Sequence, residues 1–334
     1  MARLLVTGGA GYIGSHVVLD LLLQGHEVVV LDDLSAGHPL ALVRVAELAG
    51  RAARFVHADL ADLGRVVPAL EGVDAVLHLA AKKAVPESMA APELYFRNNV
   101  GALCTFLEAM EHAGVRRIVY SSSAAVYGPQ PDAPITEDAA LSPESPYGLT
   151  KAHGEQMLHW MCARRGWAAV SLRYFNPVGA HASGRIGQPH EDAAALVPRA
   201  LAALLPGGRA LTVFGTDWPT PDGTCLRDFI HIDDLGRAHR LALDALTPGV
   251  HAVYNVGTGR PHSVREVLSA CLRVTGRAVP AHDGPRRDGD MARATADPSR
   301  FREATGFVAA GGLDAMVESA WRWTEANPRG YGPR

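Results

Sequence analysis

The sequence predicts an α/β fold: a doubly wound parallel Rossmann sheet with a smaller α/β substrate-binding domain. Three observations carry this. Short apolar runs alternate with longer helix-like stretches through the first half of the chain. A glycine-rich turn, TGGAGYIG, follows the first run and opens the first helical pattern. After about Tyr174 the alternation gives way to loops rich in Gly, Pro and His.

The apolar runs at 4–7, 27–32, 54–59, 74–79, 117–122 and 169–174 are nearly continuous. Runs of this kind suit parallel strands covered on both faces. Helical patterns lie between them at 13–24, 66–70, 93–112 and 147–164. A strand–helix alternation sustained this long implies right-handed βαβ units. Residues 1–175 are therefore expected to form the dinucleotide-binding domain. Residues 176–334 are expected to form mainly the substrate domain, with about 229–256 returning to the main sheet. In that second part 176–187 reads as a loop and 193–205 as a helix.

Composition narrows the class. The 334 residues are 48% hydrophobic and 20% charged, which is ordinary for a globular chain and speaks against disorder. A formal charge of −3 gives nucleic acid no purchase. Cys104, Cys162, Cys225 and Cys271 are widely spaced, as expected of thiols in a reducing compartment. The N-terminus enters structural sequence at once, and no apolar run approaches the ~18 residues of a membrane span. The expected location is the cytoplasm, with no membrane partner.

The glycine turn gives the first functional signal. Gly8, Gly11 and Gly14 fit G-x-x-G-x-x-G between a strand and an amphipathic helix. Glycines there allow the tight turn and the close approach of backbone to a pyrophosphate at the helix start. The second strand ends in Asp32, 18 residues after Gly14, where a carboxylate accepts bonds from ribose hydroxyls. It would repel a 2′-phosphate, and no Arg or Lys follows nearby, so NAD is expected rather than NADP. Asp59, after the third strand, suits either the adenine amino group or the N-cap of the next helix.

The second signal is SSSAAVYG (121–128) after the fifth strand, joined to SPYGLTK (145–151). Carboxyl ends of strands line the crevice of a doubly wound sheet, so Ser123 is expected to face it. Tyr147 and Lys151 stand four apart on one helix face. A free phenol has a pKa of about 10, and lowering it by ~3 units needs roughly 4 kcal/mol of preferential phenolate stabilisation. The Lys151 ammonium, a positive nicotinamide ring and the helix start behind Pro146 are expected to supply it. Ser123 would bond the reacting hydroxyl. Together Ser123, Tyr147 and Lys151 form a hydride-transfer set resembling that of the short-chain dehydrogenase/reductase superfamily.

Further blocks narrow the resemblance: HLAAKKAVPES (78–88), NNVGALCTFLEAM (98–110), SLRYFNPVGAH (171–181), VFGTDWPTPDGTCLRDFIHIDDL (213–235), YNVGTG, PRRDGD (285–290) and WRWTEANPRGYG. In this order, and nearly end to end, the chain resembles the UDP-galactose 4-epimerases. That resemblance implies NAD contacts at Tyr12, Ile13, Asp32, Asp59, Leu60, Lys83, Asn99, Tyr147, Lys151 and Phe175. It implies UDP-sugar contacts at Asn176, Leu196, Thr212, Phe214, Arg227, Arg287 and Asp290. The guanidinium forks of Arg227 and Arg287 suit a diphosphate, and Asp290 suits uridine ribose hydroxyls. The implied reaction is C4 epimerisation of a UDP-hexose through a 4-keto sugar, with tightly bound NAD regenerated each turnover. Relatives of this kind are commonly homodimers joined by a helix bundle, and a homodimer is expected here.

Two positions depart from the family pattern. AALVP (194–198) replaces a frequent Asn-Asn-Leu-Met-Pro, removing an amide at Ala195. Ala294 stands where a bulky tyrosine is common, which should enlarge the pocket on the sugar's 2-substituent side and admit UDP-N-acetylhexosamines. A sugar-nucleotide dehydratase or a decarboxylating relative would need an acid after the strand-five serines, where this chain has Ala124 and Ala125. A UDP-glucuronate 4-epimerase stays open. A non-catalytic NAD-binding sensor would have lost part of the Ser–Tyr–Lys set. His181, His190, Glu191 and Asp192 cluster without metal-ligand spacing, so no metal is expected.

Overall fold

The computed structural model describes residues 1–130, 134–189, 195–287 and 290–333. In its first half, β1 (Arg3–Thr7), α1 (Tyr12–Leu23), β2 (Glu27–Asp32), α2 (Pro39–Ala49), β3 (Arg54–His57), α3 (Leu63–Ala69) and β4 (Ala75–His78) alternate. There follow α4 (Val85–Ala90), α5 (Pro92–Tyr95), a wide π-type stretch at Phe96–Gly101, α6 (Ala102–His112), β5 (Arg117–Ser121), α7 (Pro146–Arg165) and β6 (Ala168–Tyr174). The second half holds β7 (Asn176–Val178), α8 (Leu196–Ala202), β8 (Leu211–Phe214), β9 (Leu226–His231), α9 (Ile232–Ala242) and β10 (His251–Val256). It ends with β11 (Pro261–Ser263), α10 (Val264–Thr275), β12 (Ala281–Gly284), β13 (Arg293–Ala294), α11 (Ser299–Thr305) and α12 (Leu313–Ala326).

The main sheet has seven strands in the order β10-β6-β5-β4-β1-β2-β3, all parallel. Strand order reverses between β1 and β4, which opens a crevice at their carboxyl ends. β10 returns from the second half to pair with β6 from His251–Ala169 to Val256–Tyr174. One apolar cluster, including Val17, Val30, Leu77, Val119 and Leu235, packs α1 and α9 on one face. Another, including Leu5, Val76, Phe106, Ile118 and Trp167, packs α3, α6 and α7 on the other. A second, smaller sheet joins β11, β9 and β13, with β7 also on β9, and β8 pairs with β12.

Four sequence expectations change. The segment 176–187 is not all loop: β7 pairs parallel with β9 from Asn176–Phe229 to Val178–His231. The periodicity reading omits α2, although its signals are present: His38 accepts from Leu40 N, Pro39 opens the helix and Gly50 closes it at φ +67°. β3 is an edge strand with Arg54 and Phe55 exposed, so it is not covered on both faces. The expected helix 193–205 is helical at Leu196–Ala202, and residues 190–194 lie outside the described residues.

Candidate active site

The turn between β1 and α1 leaves no room for a side chain at Gly8 or Gly14. A Cβ on Gly14 would sit 2.0 Å from the Gly8 carbonyl oxygen, and one on Gly8 would sit 2.8 Å from Ala80 N. Gly8 also has φ +69°, a conformation that L side chains disfavour. Gly11 begins α1 with no side-chain cap, which leaves the first N–H groups of the helix for an anion at its positive end. Asp32 braces the turn: Oδ2 accepts from Ala10 N at 2.9 Å and Oδ1 from Leu34 N at 2.8 Å. Burial pushes this carboxyl up, against the pull of those two bonds. This glycine cradle at a helix start, next to an acidic strand end, fits the pyrophosphate and ribose of NAD.

The other expected cofactor residues gather at the same end of the sheet or support it. Tyr12 donates its hydroxyl to the Gly179 carbonyl at 2.7 Å, tying α1, next to Ile13, to the loop after β7. Lys83 Nζ lies 5.9 Å from the centre of the Tyr12 ring. Asn99 latches onto Lys82: its Oδ1 accepts from Lys82 N and its Nδ2 donates to Lys82 O, both at 2.9 Å. The π-type stretch widens the helix where Asn99 turns inward. Leu60 is buried and Phe175 packs with Val126 and Tyr127. Asp59 is not a helix cap. Its Oδ1 accepts from Ala61 N, and Asp62 instead caps α3 through Arg65 N.

At the carboxyl end of β5, Ser123 lies beside the Tyr147 phenol, and Tyr147 and Lys151 are both buried, at 8% and 2% exposure. Ser145 and Pro146 start α7, with Ser145 Oγ accepting from Gly148 N at 3.1 Å. Gly148 is required there, because a Cβ would lie 2.4 Å from the Ala125 carbonyl oxygen. Lys151 Nζ donates to the Ser121 carbonyl at 2.7 Å and lies 5.0 Å from the centre of the Tyr120 ring. Burial opposes ionisation at this site. Within the protein, burial pushes the Tyr147 phenol up, and Ser123 only opposes it. Burial also works against the Lys151 ammonium, lowering it to about 7.

The expected substrate residues converge on β9 and its neighbours. Asn176 Nδ2 donates to the Asp228 carbonyl at 2.9 Å, which holds β7 on β9. Asp290 stands between two arginines: Arg287 Nε donates to Oδ2 at 2.9 Å, and Arg227 Nη2 lies 3.4 Å from Oδ1. The Arg287 guanidinium stacks 4.8 Å from the centre of the Phe214 ring. Thr212 Oγ1 meets His282 Nε2 at 3.0 Å across β8 and β12. Leu196 packs at the junction of two apolar clusters. Ala294 is opposite Arg227 in the ladder and, like Ala124, packs against the cluster holding Phe175. The departure at Ala195 falls at the start of α8, which has no side-chain cap.

Sequence reading missed three supporting groups. Asp228, fully buried, accepts from Thr258 N and Gly259 N at 2.9 Å and from Ala296 N at 3.1 Å. Its place in the Arg-Asp block before YNVGTG was the available signal. Glu155 and Arg173 form a buried ion pair, 4% and 5% exposed, behind the Ser–Tyr–Lys set. A glutamate four after Lys151 was legible, but its partner on β6 was not. His190, Glu191 and Asp192 lie outside the described residues, among which no group of three His, Cys, Asp or Glu could hold a metal. Among them, too, no helix is long and apolar enough to cross a membrane.

Residues 4–257 match the model of the NAD dependent epimerase/dehydratase family. The chain belongs to that family. This family member is 45% identical over 333 residues to the UDP-glucose 4-epimerase of Bacillus subtilis (strain 168), with 98% of each chain covered. Its fold matches the solved UDP-glucose 4-epimerase of Stenotrophomonas maltophila, which holds NAD and formylated UDP-arabinopyranose, with TM-score 0.93 and 42% identity over 98% of this chain and 99% of that one. It matches the Bifidobacterium longum enzyme, in complex with NAD+ and UDP, with TM-score 0.93 and 38% identity over 98% and 99%.

Proposed function

We propose that the chain interconverts the C4 epimers of a UDP-hexose, UDP-glucose and UDP-galactose in the first instance, using tightly held NAD. The observation that carries this reading is the meeting of Ser123, Tyr147 and Lys151 at the carboxyl end of β5, at the same end of the sheet as the glycine cradle. When bound, NAD takes the C4 hydride and returns it, so no outside reductant is consumed. Gly8, Gly11, Tyr12, Ile13, Gly14 and Asp32 hold the dinucleotide, with Asp59, Leu60, Lys83, Asn99 and Phe175 around it.

Tyr147 takes the proton of the sugar 4-hydroxyl and returns it, and Ser123 bonds the same hydroxyl. A buried phenol is a poor base by itself, so the positive charge of Lys151 must be kept nearby. Arg227 and Arg287 grip the diphosphate, while Asp290 takes ribose hydroxyls and Phe214 flanks the nucleotide. Asn176, Leu196 and Thr212 complete that end. The 4-keto sugar formed after proton and hydride loss turns over between these anchored groups, in a pocket that grips it weakly. Ala124 and Ala125 offer no acid for elimination. The purified protein, given a panel of UDP-sugars without added NAD, should yield C4 epimers detectable by NMR. A panel returned unchanged by NAD-containing protein would refute the reading.

The small side chain at Ala294, packed against the cluster holding Phe175, favours a second substrate class, the UDP-N-acetylhexosamines. The outer faces of α6 and α7, where Cys104, Leu149 and Trp160 are exposed, suit pairing with a second copy as a homodimer. A cytoplasmic setting suits the exposed free thiol of Cys104.

A further inference from the structure

Lys151 is a buried ammonium with no carboxylate in salt-bridge range among the described residues. Its Nζ bonds the Ser121 carbonyl and faces the Tyr120 ring. The titratable groups around it are Tyr147 on its own helix, His78 on β4 and Tyr120 on β5, with Tyr174 on β6 next to Tyr147. Burial holds His78 neutral, with a pKa lowered to about 3, and Lys151 itself disfavours its protonation. His239 on α9 accepts from Ser121 Oγ at 2.8 Å and is likewise buried and neutral. One turn further along α7, on the same face, is the carboxylate of Glu155.

Both oxygens of that carboxylate are engaged. Oε1 accepts from Ser122 Oγ at 2.5 Å and from Arg173 Nε at 2.9 Å, and Oε2 accepts from Arg173 Nη2 at 2.6 Å. Arg173 Nη1 in turn donates to the Tyr127 hydroxyl at 2.9 Å, and its guanidinium lies 4.9 Å from the centre of the Tyr127 ring. Ser121 and Ser122 precede Ser123, and Tyr127 follows it. The pair therefore holds the segment bearing Ser123 from both sides.

We propose that Glu155 is a positioning residue of this reaction: its carboxylate fixes the 121–127 segment through Ser122 and Arg173, and supplies the negative charge that keeps the Lys151 ammonium charged beside Tyr147. The proposal rests on the reading of Lys151 as part of the catalytic set. Burial lowers Lys151, and Glu155 is the charge that acts in the opposite direction. Removing that charge lowers Lys151 further, so a rise in pH strips the ammonium sooner and the phenol loses its positive neighbour.

The test is the pH dependence of kcat for UDP-galactose in the NAD-bound enzyme. Glu155→Gln should move the basic limb down by about one pH unit, an approximately tenfold loss on that limb, with KM changed less than about twofold. Ser122→Ala, which removes a hydrogen bond but no charge, should leave the position of that limb in place. A folded Glu155→Gln enzyme with its basic limb unmoved would overturn the proposal, as would a Ser122→Ala limb displaced equally. Should Glu155→Gln fail to fold with Arg173 left unpaired, Glu155→Leu/Arg173→Met removes both charges at once. A smaller downward shift is then expected, because the Arg173 cation leaves with the carboxylate that acts on Lys151, and an unmoved limb sinks the idea. Lys151→Met separates the two readings: an active variant refutes the catalytic set itself, whereas an inactive one beside an unmoved Glu155→Gln limb refutes only the role of Glu155.

Discussion

Lys151 Nζ donates to the main-chain carbonyl of Ser121 at 2.7 Å, across 30 positions of sequence. The contact pins the ammonium to the strand end that carries Ser123, so the phenol, the hydroxyl and the cation are held as one unit. Burial works against both ionisable members, raising Tyr147 and lowering Lys151. Their function then depends on charge supplied at close quarters rather than on solvent.

Tyr147→Phe and Lys151→Met should each lower kcat for UDP-galactose by about 10²- to 10⁴-fold, the range lost with a general base or its activator. Both variants should keep their fold, because neither side chain is a main hub of the apolar clusters. NAD released on denaturation, measured by chromatography, should stay close to stoichiometric for Tyr147→Phe.

Gly14→Ala and Gly11→Ala separate crowding from flexibility. The new Cβ at Gly14 would meet the Gly8 carbonyl at 2.0 Å, whereas at Gly11 the same oxygen is 3.3 Å away. A backbone oxygen inside a strand-to-helix turn cannot move aside. Gly14→Ala should therefore yield protein that has lost its NAD, or little folded protein, while Gly11→Ala retains fold and part of its NAD. Equal NAD content in the two would contradict the steric account.

Acid should destabilise the protein earlier than carboxylate titration alone would. Burial lowers His16 and His78 to about 3, and His239 and His251 to about 4. The unfolded chain protonates these imidazoles near pH 6.5, whereas the native chain does not until far lower pH. Their contribution is therefore fully present above about pH 6.5 and lost as pH falls toward the native values, by up to about 1.4 kcal/mol per pH unit per group. Denaturant midpoints between pH 7 and about 5 should fall steadily, and His78→Phe should flatten the slope if it folds.

Ala294→Tyr should crowd the cluster holding Phe175, against which Ala124 also packs. The ratio of kcat/KM for UDP-N-acetylglucosamine over UDP-glucose is expected to drop by roughly tenfold or more, the discrimination that steric exclusion from a pocket supplies. An unchanged ratio would remove Ala294 from the list of specificity determinants.

The local signals were strong where chemistry demands a particular residue at a particular spacing. Three glycines at the start of α1, an acid at the end of β2 and a tyrosine four before a lysine in α7 are each fixed by short-range geometry, so they were legible in the chain itself. The short pairing of Asn176–Val178 with β9 was not, because three residues carry no periodicity and the partner lies about fifty positions away. Helix α2 was missed although its caps were in view.

What the sequence alone determined was the parallel alternation, the glycine cradle and the candidates for the reacting side chains. Only the tertiary structure decided their energetics. Burial of Tyr147 raises the phenol that the i, i+4 spacing was expected to lower, and Glu155 finds Arg173 on a different element. Spacing along a helix reports which groups share a face. How much water is removed around them, and which distant charge replaces it, depends on the strands and helices that close over that face.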